Sequence, residues 1–184
     1  MTSAVSGGFR KTSERLLHEG YIVSLFEAEF EGPGGEHISR DVIRHPGAVA
    51  VVAVDGDEVV LVRQFRAALE AEMLELPAGK LDVPGEPLEA AARRELVEEA
   101  GLDAPQLELL VRFHNSGGFC DEETSVFLAT ELVEATPEAV SVEEQYLTVE
   151  RVRIDDVHDL IADGTITDAK TVIGLLQALR RLGR

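Results

Sequence analysis

The sequence GKLDVPGEPLEAAARRELVEEAGL, residues 79–102, combines a glycine-rich loop with the signals of a helix that follows it. A Pro-Gly pair interrupts the chain just before Glu86, and Glu86 followed by Pro87 predicts a helix with Glu86 at its N-cap. Gly101 is suited to end that helix, because glycine adopts the left-handed conformation without a steric cost. The stretch therefore predicts one loop and one helix.

Three glutamates lie on one side of the predicted helix. Glu95, Glu98 and Glu99 stand at i, i+3 and i+4, the spacing of neighbours along a helix face. Carboxylates held this close repel one another unless a cation joins them, and a hard divalent ion such as Mg²⁺ prefers their oxygens. The alternative is a solvated acidic helix whose arginines pair with its glutamates. The pattern thus has two interpretations, of which the first predicts a metal site.

The same positions resemble the Nudix box, G-x5-E-x7-REUxEExGU, in which U is an aliphatic residue. Its defined positions are filled by Gly79, Glu86, Arg94, Glu95, Leu96, Glu98, Glu99, Gly101 and Leu102. The interval between the first glycine and the first glutamate is one residue longer than usual, and the additional residue falls in the loop. It leaves the spacing of the three helical glutamates unchanged.

Segments outside the box resemble the ADP-ribose pyrophosphatase branch of the Nudix hydrolases. They are RDVIRHPGAV (40–49), LVRQFR (61–66), ELPAG (75–79) and DGTITDAKTVIGLL (163–176). The resemblance implies hydrolysis of the pyrophosphate bond of ADP-ribose to AMP and ribose 5-phosphate, with Mg²⁺, or else Mn²⁺, as cofactor. Gly117 stands where this branch often carries proline. Hydrolysis of another nucleotide sugar or of a dinucleotide therefore stays open, as does a non-catalytic sensor that binds ADP-ribose.

The resemblance also implies a set of metal ligands and catalytic acids. The ligands are the backbone carbonyl of Ala78 and the side chains of Glu95, Glu98, Glu99 and Glu144. The branch places a general base on the loop at 137–150, where Glu144 is the candidate and Glu143 its substitute, with Glu98 as a further catalytic acid. Other family members carry this glutamate just inside the next strand, where this sequence has Thr148.

Four residues outside the box are implied as substrate contacts. Arg66 corresponds to a position that contacts the phosphates or the terminal ribose, and Glu75 is a further candidate for substrate binding. Tyr21 and Arg40 are candidates to sandwich the adenine, with an aromatic face on one side and a guanidinium plane on the other. The alternative for Tyr21 is ordinary strand packing.

Composition limits the classes of protein to which the chain can belong. The formal net charge of −18 argues against a nucleic-acid partner, which would require a basic face. The sequence has no apolar run long enough to span a membrane and no apolar stretch typical of a secretory signal, so we expect no membrane partner. Cys120 is the single cysteine among 184 residues, which excludes an internal disulfide and favours the cytoplasm.

Two domains are expected. Residues 1–46 are predicted to form a small β unit, because strands at 21–30 and 37–43 flank the turn GPGG but offer little core of their own. In the branch that the sequence resembles, such strands exchange between the subunits of a homodimer. Residues 47–184 are predicted to form the Nudix catalytic domain, which would bind a nucleoside diphosphate sugar.

The fold class expected for the larger domain is α+β. Strands are predicted at 48–54, 58–65, 106–114, 125–132 and 146–154, and helices at 67–73, 155–162 and 168–182 in addition to the box helix. This alternation favours an α/β/α sandwich, in which a mixed sheet carries helices on both sides.

Overall fold

A computed structural model of the chain describes residues 6–136 and 144–184. The chain forms two compact units, which we call the N-terminal unit (Met1–Gly47 with His114–Glu122) and the core unit (Ala48–Phe113 with Glu123–Arg184). The sequence predicted a single boundary, after residue 46. It did not predict that 114–122 groups with the N-terminal residues.

The N-terminal unit is built on a three-stranded antiparallel sheet. Its strands are β1 (Arg10–Glu19), β2 (Ser24–Glu31) and β3 (His37–Arg44), in that spatial order. The predicted hairpin is confirmed, since β2 pairs with β3 across the glycine-rich turn. The segment from His114 to Glu122 joins this unit through β3, because the Ile43 amide donates to the Phe119 carbonyl at 2.7 Å.

The core unit contains a mixed sheet of seven strands. The remaining strands of the chain are β4 (Ala48–Asp55), β5 (Glu58–Arg66), β6 (Ala71–Glu75), β7 (Ala78–Lys80), β8 (Leu102–Asp103), β9 (Leu107–His114), β10 (Glu123–Ala129), β11 (Val133–Glu134) and β12 (Thr148–Arg153). The main order is β12-β5-β4-β10-β9, with β6 paired to β5 and β7 to β4, while β8 and β11 pair separately. β10 runs parallel to β4, and β5, β7 and β12 make antiparallel pairs.

Helices cover both faces of this sheet. They are α1 (Leu88–Ala100), α2 (Val157–Ala162) and α3 (Ala169–Leu182). On one face Val51 and Val60 pack in a buried cluster with Leu96 of α1. On the other face a second cluster contains Leu61 and Leu175 of α3. The predicted α/β/α sandwich is confirmed. Among the described residues, every helix is too short or too polar to span a lipid bilayer.

Two local predictions were wrong. Helix α1 begins at Leu88 with Pro87 at the N-cap and without a side-chain cap, so Glu86 does not cap it. The helix predicted at 67–73 is replaced by a turn and the strand β6, because pairing with β5 outweighs the helical propensity of this Ala/Glu-rich segment. The predicted end of α1 is confirmed, since Gly101 adopts φ 64°.

Candidate active site

The acidic side of α1 lies against the backbone that leads from β6 into β7. Ala91, Ala92 and Leu96 are buried against the sheet and fix the rotation of the helix about its axis. The side chain of Glu99 then accepts a hydrogen bond from the Ala78 amide, with 2.8 Å between the nitrogen and Oε2. One predicted metal ligand is thus joined directly to the residue whose carbonyl was predicted as another.

Glu95 contacts the same backbone one residue further on. A Cβ placed on Gly79 would lie 2.0 Å from Cδ of Glu95, far inside van der Waals contact. Only a glycine lets the strand approach the carboxylate this closely. The first glycine of the box therefore makes room for the first glutamate of the helix.

Arg94 gathers the remaining acids. Its Nη1 donates to Glu95 at 2.6 Å and to Glu98 at 3.0 Å, while Nε and Nη2 donate to the two oxygens of Glu86 at 3.2 and 3.1 Å. One guanidinium thus bonds three carboxylates, although its single positive charge balances only one of them. Glu86 was expected to cap the helix, but its side chain holds Arg94 instead.

Burial opposes the ionisation of two of the glutamates. It raises the pKa of Glu95 to about 7, even though the charge and hydrogen bond of Arg94 act in the opposite direction. It raises the pKa of Glu99 to about 8, more than offsetting the hydrogen bond from the Ala78 amide, and the nearby charge of Glu95 adds to the rise. The site consequently gathers more acidic groups than its own cations stabilise in charged form.

The donor atoms of this site fit a hard divalent cation. Each candidate ligand side chain offers carboxylate oxygen, which Mg²⁺ and Mn²⁺ prefer, and a cation would favour the ionised forms that burial disfavours. In residues 6–136 and 144–184, no three His, Cys, Asp or Glu side chains converge in an arrangement that would hold a metal ion. Glu95 and Glu98 point to Arg94 instead, so metal binding requires these side chains to turn from the guanidinium.

A second charged cluster, from β5, β6 and the start of α3, lies beside the acidic helix. Arg66 donates to both oxygens of Glu75, from Nε at 2.7 Å and from Nη2 at 2.6 Å. Lys170 also donates to Glu75 and lies 3.0 Å from Asp168. Both cations act on Glu99, whose pKa their charges lower against the larger effect of burial.

Sequence analysis missed Lys170 and Asp168. The segment DGTITDAKTVIGLL that contains them was used for the resemblance but not for the site. The available signal was the position of Lys170 in the first turn of a helix that Asp168 caps. A cation there is disfavoured by the helix dipole, so a nearby acidic partner is expected. That partner is Glu75, whose side chain is 1% exposed.

The structure does not bring Tyr21 and Arg40 together. Ser24 lies opposite Arg44 in the sheet, whereas Arg40 lies opposite Ala28. Tyr21 precedes Ser24, so it is separated from Arg40 by at least four positions along the strand, or about 13 Å. Tyr21 is 99% exposed.

A cavity of about 350 Å³ lies in the N-terminal unit at Arg40. It is lined by Phe30, Arg40, Val42, Arg44, His114, Gly117, Gly118, Phe119, Cys120 and Asp121. Arginine and phenylalanine side chains both line it, which suits a flat aromatic ligand.

The predicted general base falls at a gap in the described residues. Glu143 lies outside them. Glu144 begins a short 3₁₀ helix, Glu144–Tyr146, that leads into β12, whose first residue Thr148 pairs with Arg63.

The match to a known family includes most of the unit that carries the acidic helix. The NUDIX domain matches residues 44–173 of this chain. The chain belongs to the Nudix family.

Several relatives match nearly the whole Nudix chain. It is 38% identical to "ADP-ribose pyrophosphatase" of Bacillus subtilis (strain 168) over 164 residues, 89% of this chain and 88% of that protein. It is 36% identical to "Methanol dehydrogenase activator" of Bacillus methanolicus over 160 residues, 86% of each chain. It is 37% identical to "ADP-ribose pyrophosphatase" of Mycobacterium tuberculosis over 169 residues, 91% of this chain and 82% of that protein.

A solved structure supports the fold. The structure described as "Crystal structure of ADP compounds hydrolase" superposes with a TM-score of 0.84, covering 99% of this chain and 100% of that chain at 22% identity. At this identity the likeness concerns the fold alone.

Proposed function

We propose that the protein hydrolyses the pyrophosphate bond of ADP-ribose and releases AMP and ribose 5-phosphate. The observation that carries the proposal is the position of Glu95 and Glu99 against the backbone of Gly79 and Ala78. It supports the proposal because charge on phosphate oxygens must be neutralised during the reaction, and here carboxylates and a backbone carbonyl could hold a cation together. The relatives named ADP-ribose pyrophosphatase support the choice of substrate.

The cofactor that we propose is Mg²⁺, with Mn²⁺ as the alternative. The residues that would hold it are the carbonyl of Ala78 and the side chains of Glu95, Glu98, Glu99 and Glu144. A divalent ion at this place supplies neutralisation of phosphate charge and a more acidic water. When no ion is bound, Arg94 partly offsets the charge of the carboxylates, because it bonds Glu86, Glu95 and Glu98.

The reaction is the attack of water on one phosphorus. The water oxygen bonds to that phosphorus as its bond to the bridging oxygen breaks, and the bridging oxygen leaves on the other phosphate. The water proton passes to a carboxylate, for which we propose Glu144, with Glu143 and then Glu98 as alternatives. Arg66 is proposed to bind the phosphates or the terminal ribose, and Glu75, which is buried, to act through Arg66.

The adenine contacts and the homodimer remain part of the proposal. Arg40 lines a cavity that suits a flat ring, and an exposed Tyr21 could stack on adenine from a second protomer.

The homodimer is proposed to form through β1. All residues of β1 are exposed, including the apolar Leu16 and Leu17, and burial of these side chains against a second chain would be favourable. Light scattering should give the mass of a dimer for the wild type and the mass of a monomer for a Leu16→Glu, Leu17→Glu variant.

We propose the cytoplasm as location because the chain has a single cysteine.

A panel of substrates tests the activity. With Mg²⁺ present, product release is measured for ADP-ribose, other nucleotide sugars and dinucleotides, and a Glu99→Gln protein serves as control. Fastest turnover of ADP-ribose that the variant loses supports the proposal. Tight binding of ADP-ribose without turnover would contradict the proposed activity and favour a non-catalytic sensor that acts on a partner.

Hydrolysis of a different nucleotide sugar or of a dinucleotide is the second candidate. The observation that favours it is the open space at Gly117 and Gly118, where an added Cβ would meet nothing within 4 Å. Both glycines line the cavity at Arg40, so this side of it leaves room for a larger group. Faster turnover of such a compound in the panel would select this candidate.

A further inference from the structure

Glu75 is the centre of a buried ion cluster. Its side chain is 1% exposed, and its two oxygens accept hydrogen bonds from Arg66 and Lys170. Lys170 is held in turn by Asp168, which caps α3 by accepting from the amide and hydroxyl of Thr171. The cluster therefore joins β5, β6 and the first turn of α3.

Among the described residues, the Arg66 side chain pairs only with Glu75, and part of its guanidinium lies away from that pair. Glu75 takes Nε and one N–H of Nη2, so both N–H groups of Nη1 and the second of Nη2 are directed elsewhere. The side chain of Arg66 is 38% exposed although that of Glu75 is buried. A guanidinium fixed along one edge and open along the other is suited to phosphate oxygens.

Lys170 decides whether this edge-on pair is held in one orientation. Without Lys170, the side chains of Arg66 and Glu75 could change orientation together while they stay bonded to each other. Lys170 adds a third hydrogen-bond donor, which bonds Oε2 of Glu75 and connects this carboxylate to the first turn of α3. The position of that turn is set by a separate hydrogen bond from the Leu76 amide to Thr171 Oγ1 at 2.9 Å. The carboxylate is thus held from two sides.

We propose that Lys170 is a positioning residue for substrate binding, which acts by holding Glu75 so that the free edge of Arg66 faces the phosphates. This inference rests on the proposed function, since it takes a pyrophosphate-containing nucleotide as the ligand of Arg66. Lys170 needs no contact with the substrate. The competing explanation is that Lys170 only fastens α3 to the sheet.

A set of variants separates these two explanations. Lys170→Met removes the third donor, Lys170→Arg retains a donor, and Arg66→Met removes the group on which Lys170 would act. Thr171→Val is the control for loosening of the helix start, because it removes the hydroxyl's bonds to the Leu76 amide and to Asp168. The bond from Lys170 to Glu75 and the bond from the Thr171 amide to Asp168 remain in this variant. For each protein kcat, KM for ADP-ribose and Tm are measured, and Lys170→Met is also made in the Arg66→Met background.

The proposal predicts a specific split in the kinetic constants. Lys170→Met should raise KM by about 10- to 100-fold, as expected when a binding group is displaced, and change kcat by less than about threefold. Lys170→Arg should restore most of the affinity. In the Arg66→Met background Lys170→Met should add less than about twofold, since the two residues act as one unit. Thr171→Val should lower Tm and leave KM in place.

A measurement without substrate keeps the inference separate from the proposed function. The Arg66 Nε–H resonance, assigned by its loss in Arg66→Met, reports hydrogen exchange of the bonded edge. Lys170→Met should speed this exchange at least about tenfold, because the Glu75 carboxylate becomes free to move. Unchanged exchange overturns the inference, as does an equal rise of KM in the Arg66→Met background or in Thr171→Val. If exchange quickens but the wild-type protein hydrolyses no ADP-ribose, the inference holds for Arg66 and the proposed function fails.

Discussion

Gly79 and Glu95 lie in such close contact that a Cβ on the glycine would be 2.0 Å from the carboxyl carbon and 2.1 and 2.2 Å from the two oxygens. These three nearest atoms all belong to the end of the flexible Glu95 side chain. An added methyl group would therefore displace the carboxylate and leave the backbone in place.

Gly79→Ala is expected to lower turnover without unfolding the protein. Displacing Glu95 removes a proposed ligand, so kcat/KM should fall by about 10- to 100-fold and the Mg²⁺ concentration for half-maximal activity should rise. The Tm should change by no more than a few degrees, since the side chain can turn toward solvent. Steady-state kinetics against Mg²⁺ and a thermal melt measure both quantities.

Gly174→Ala provides the contrasting glycine substitution in the same unit. Its Cβ would meet Leu76 Cδ1 at 2.7 Å and Val126 Cγ1 at 3.0 Å in the core, so the free energy of unfolding should fall by about 1–3 kcal/mol. The activity of the folded fraction should remain near that of the wild type. If the two glycine variants lost activity and stability in the same proportion, the assignment of Gly79 to the site would be wrong.

Glu99→Gln should lower the activity without lowering the stability. Turnover should fall by at least about 10²-fold, because the charge that binds the cation is removed. The metal-free protein should be as stable as the wild type or more stable at pH 8, since glutamine still accepts from the Ala78 amide and carries no buried charge. Near-normal turnover in this variant would contradict the proposed metal site.

The stability of the metal-free protein should fall as the pH rises from 6 to 9. Burial raises the pKa of Glu95 to about 7 and of Glu99 to about 8, so the folded state binds more protons than the unfolded state over this range. The free energy of unfolding then decreases with pH, by up to about 1.4 kcal/mol per pH unit for each group. Thermal melts in EDTA measure this slope, and Glu99→Gln should reduce it.

Added Mg²⁺ should reverse this trend. The ion binds the ionised carboxylates, so the rise in Tm that it causes should grow between pH 6 and pH 9 as protons cease to compete. A Tm increment that is the same at both ends of the range would argue that the ion binds elsewhere.

Arg94→Met should make the protein depend on the divalent ion. Arg94 is bonded to Glu86, Glu95 and Glu98, so its removal leaves three carboxylates without their cation. The free energy of unfolding in EDTA should fall by about 3–5 kcal/mol. Mg²⁺ should restore more Tm in this variant than in the wild type. Arg93→Met is the control, because Arg93 bonds Asp103 on another side of α1.

Sequence patterns predicted the parts of the fold that depend on local chemistry. Gly101 ends α1 because a left-handed residue is required there, and the strands predicted at 48–54 and 58–65 form the antiparallel pair β4 and β5. Strand β1 was missed because RKTSERLLHE has no alternation, and all of its residues are exposed. The segment at 67–73 was assigned to the wrong class because its pairing with β5 is a tertiary effect.

The candidate site was predictable where its residues are close in sequence. One short stretch contains the three helical glutamates, Arg94 and Gly79, and the spacing of the glutamates predicts that they share one side of the helix. Lys170 was not predictable in the same way, since its relation to Glu75 depends on how α3 meets β6. Glu75 itself was expected to touch substrate, and its burial between two cations could be known only from the packed structure.

The hydrogen bond from Leu76 to Thr171 joins positions that are 95 apart in the chain. At the rate of protein synthesis, the ribosome needs about 5 to 20 seconds to make the intervening residues. Throughout that interval Glu75 lacks Lys170, and the sheet face that α3 covers is bare. A newly made chain should therefore be inactive and bind chaperones until α3 emerges, and translation pauses between residues 76 and 171 would lengthen that period.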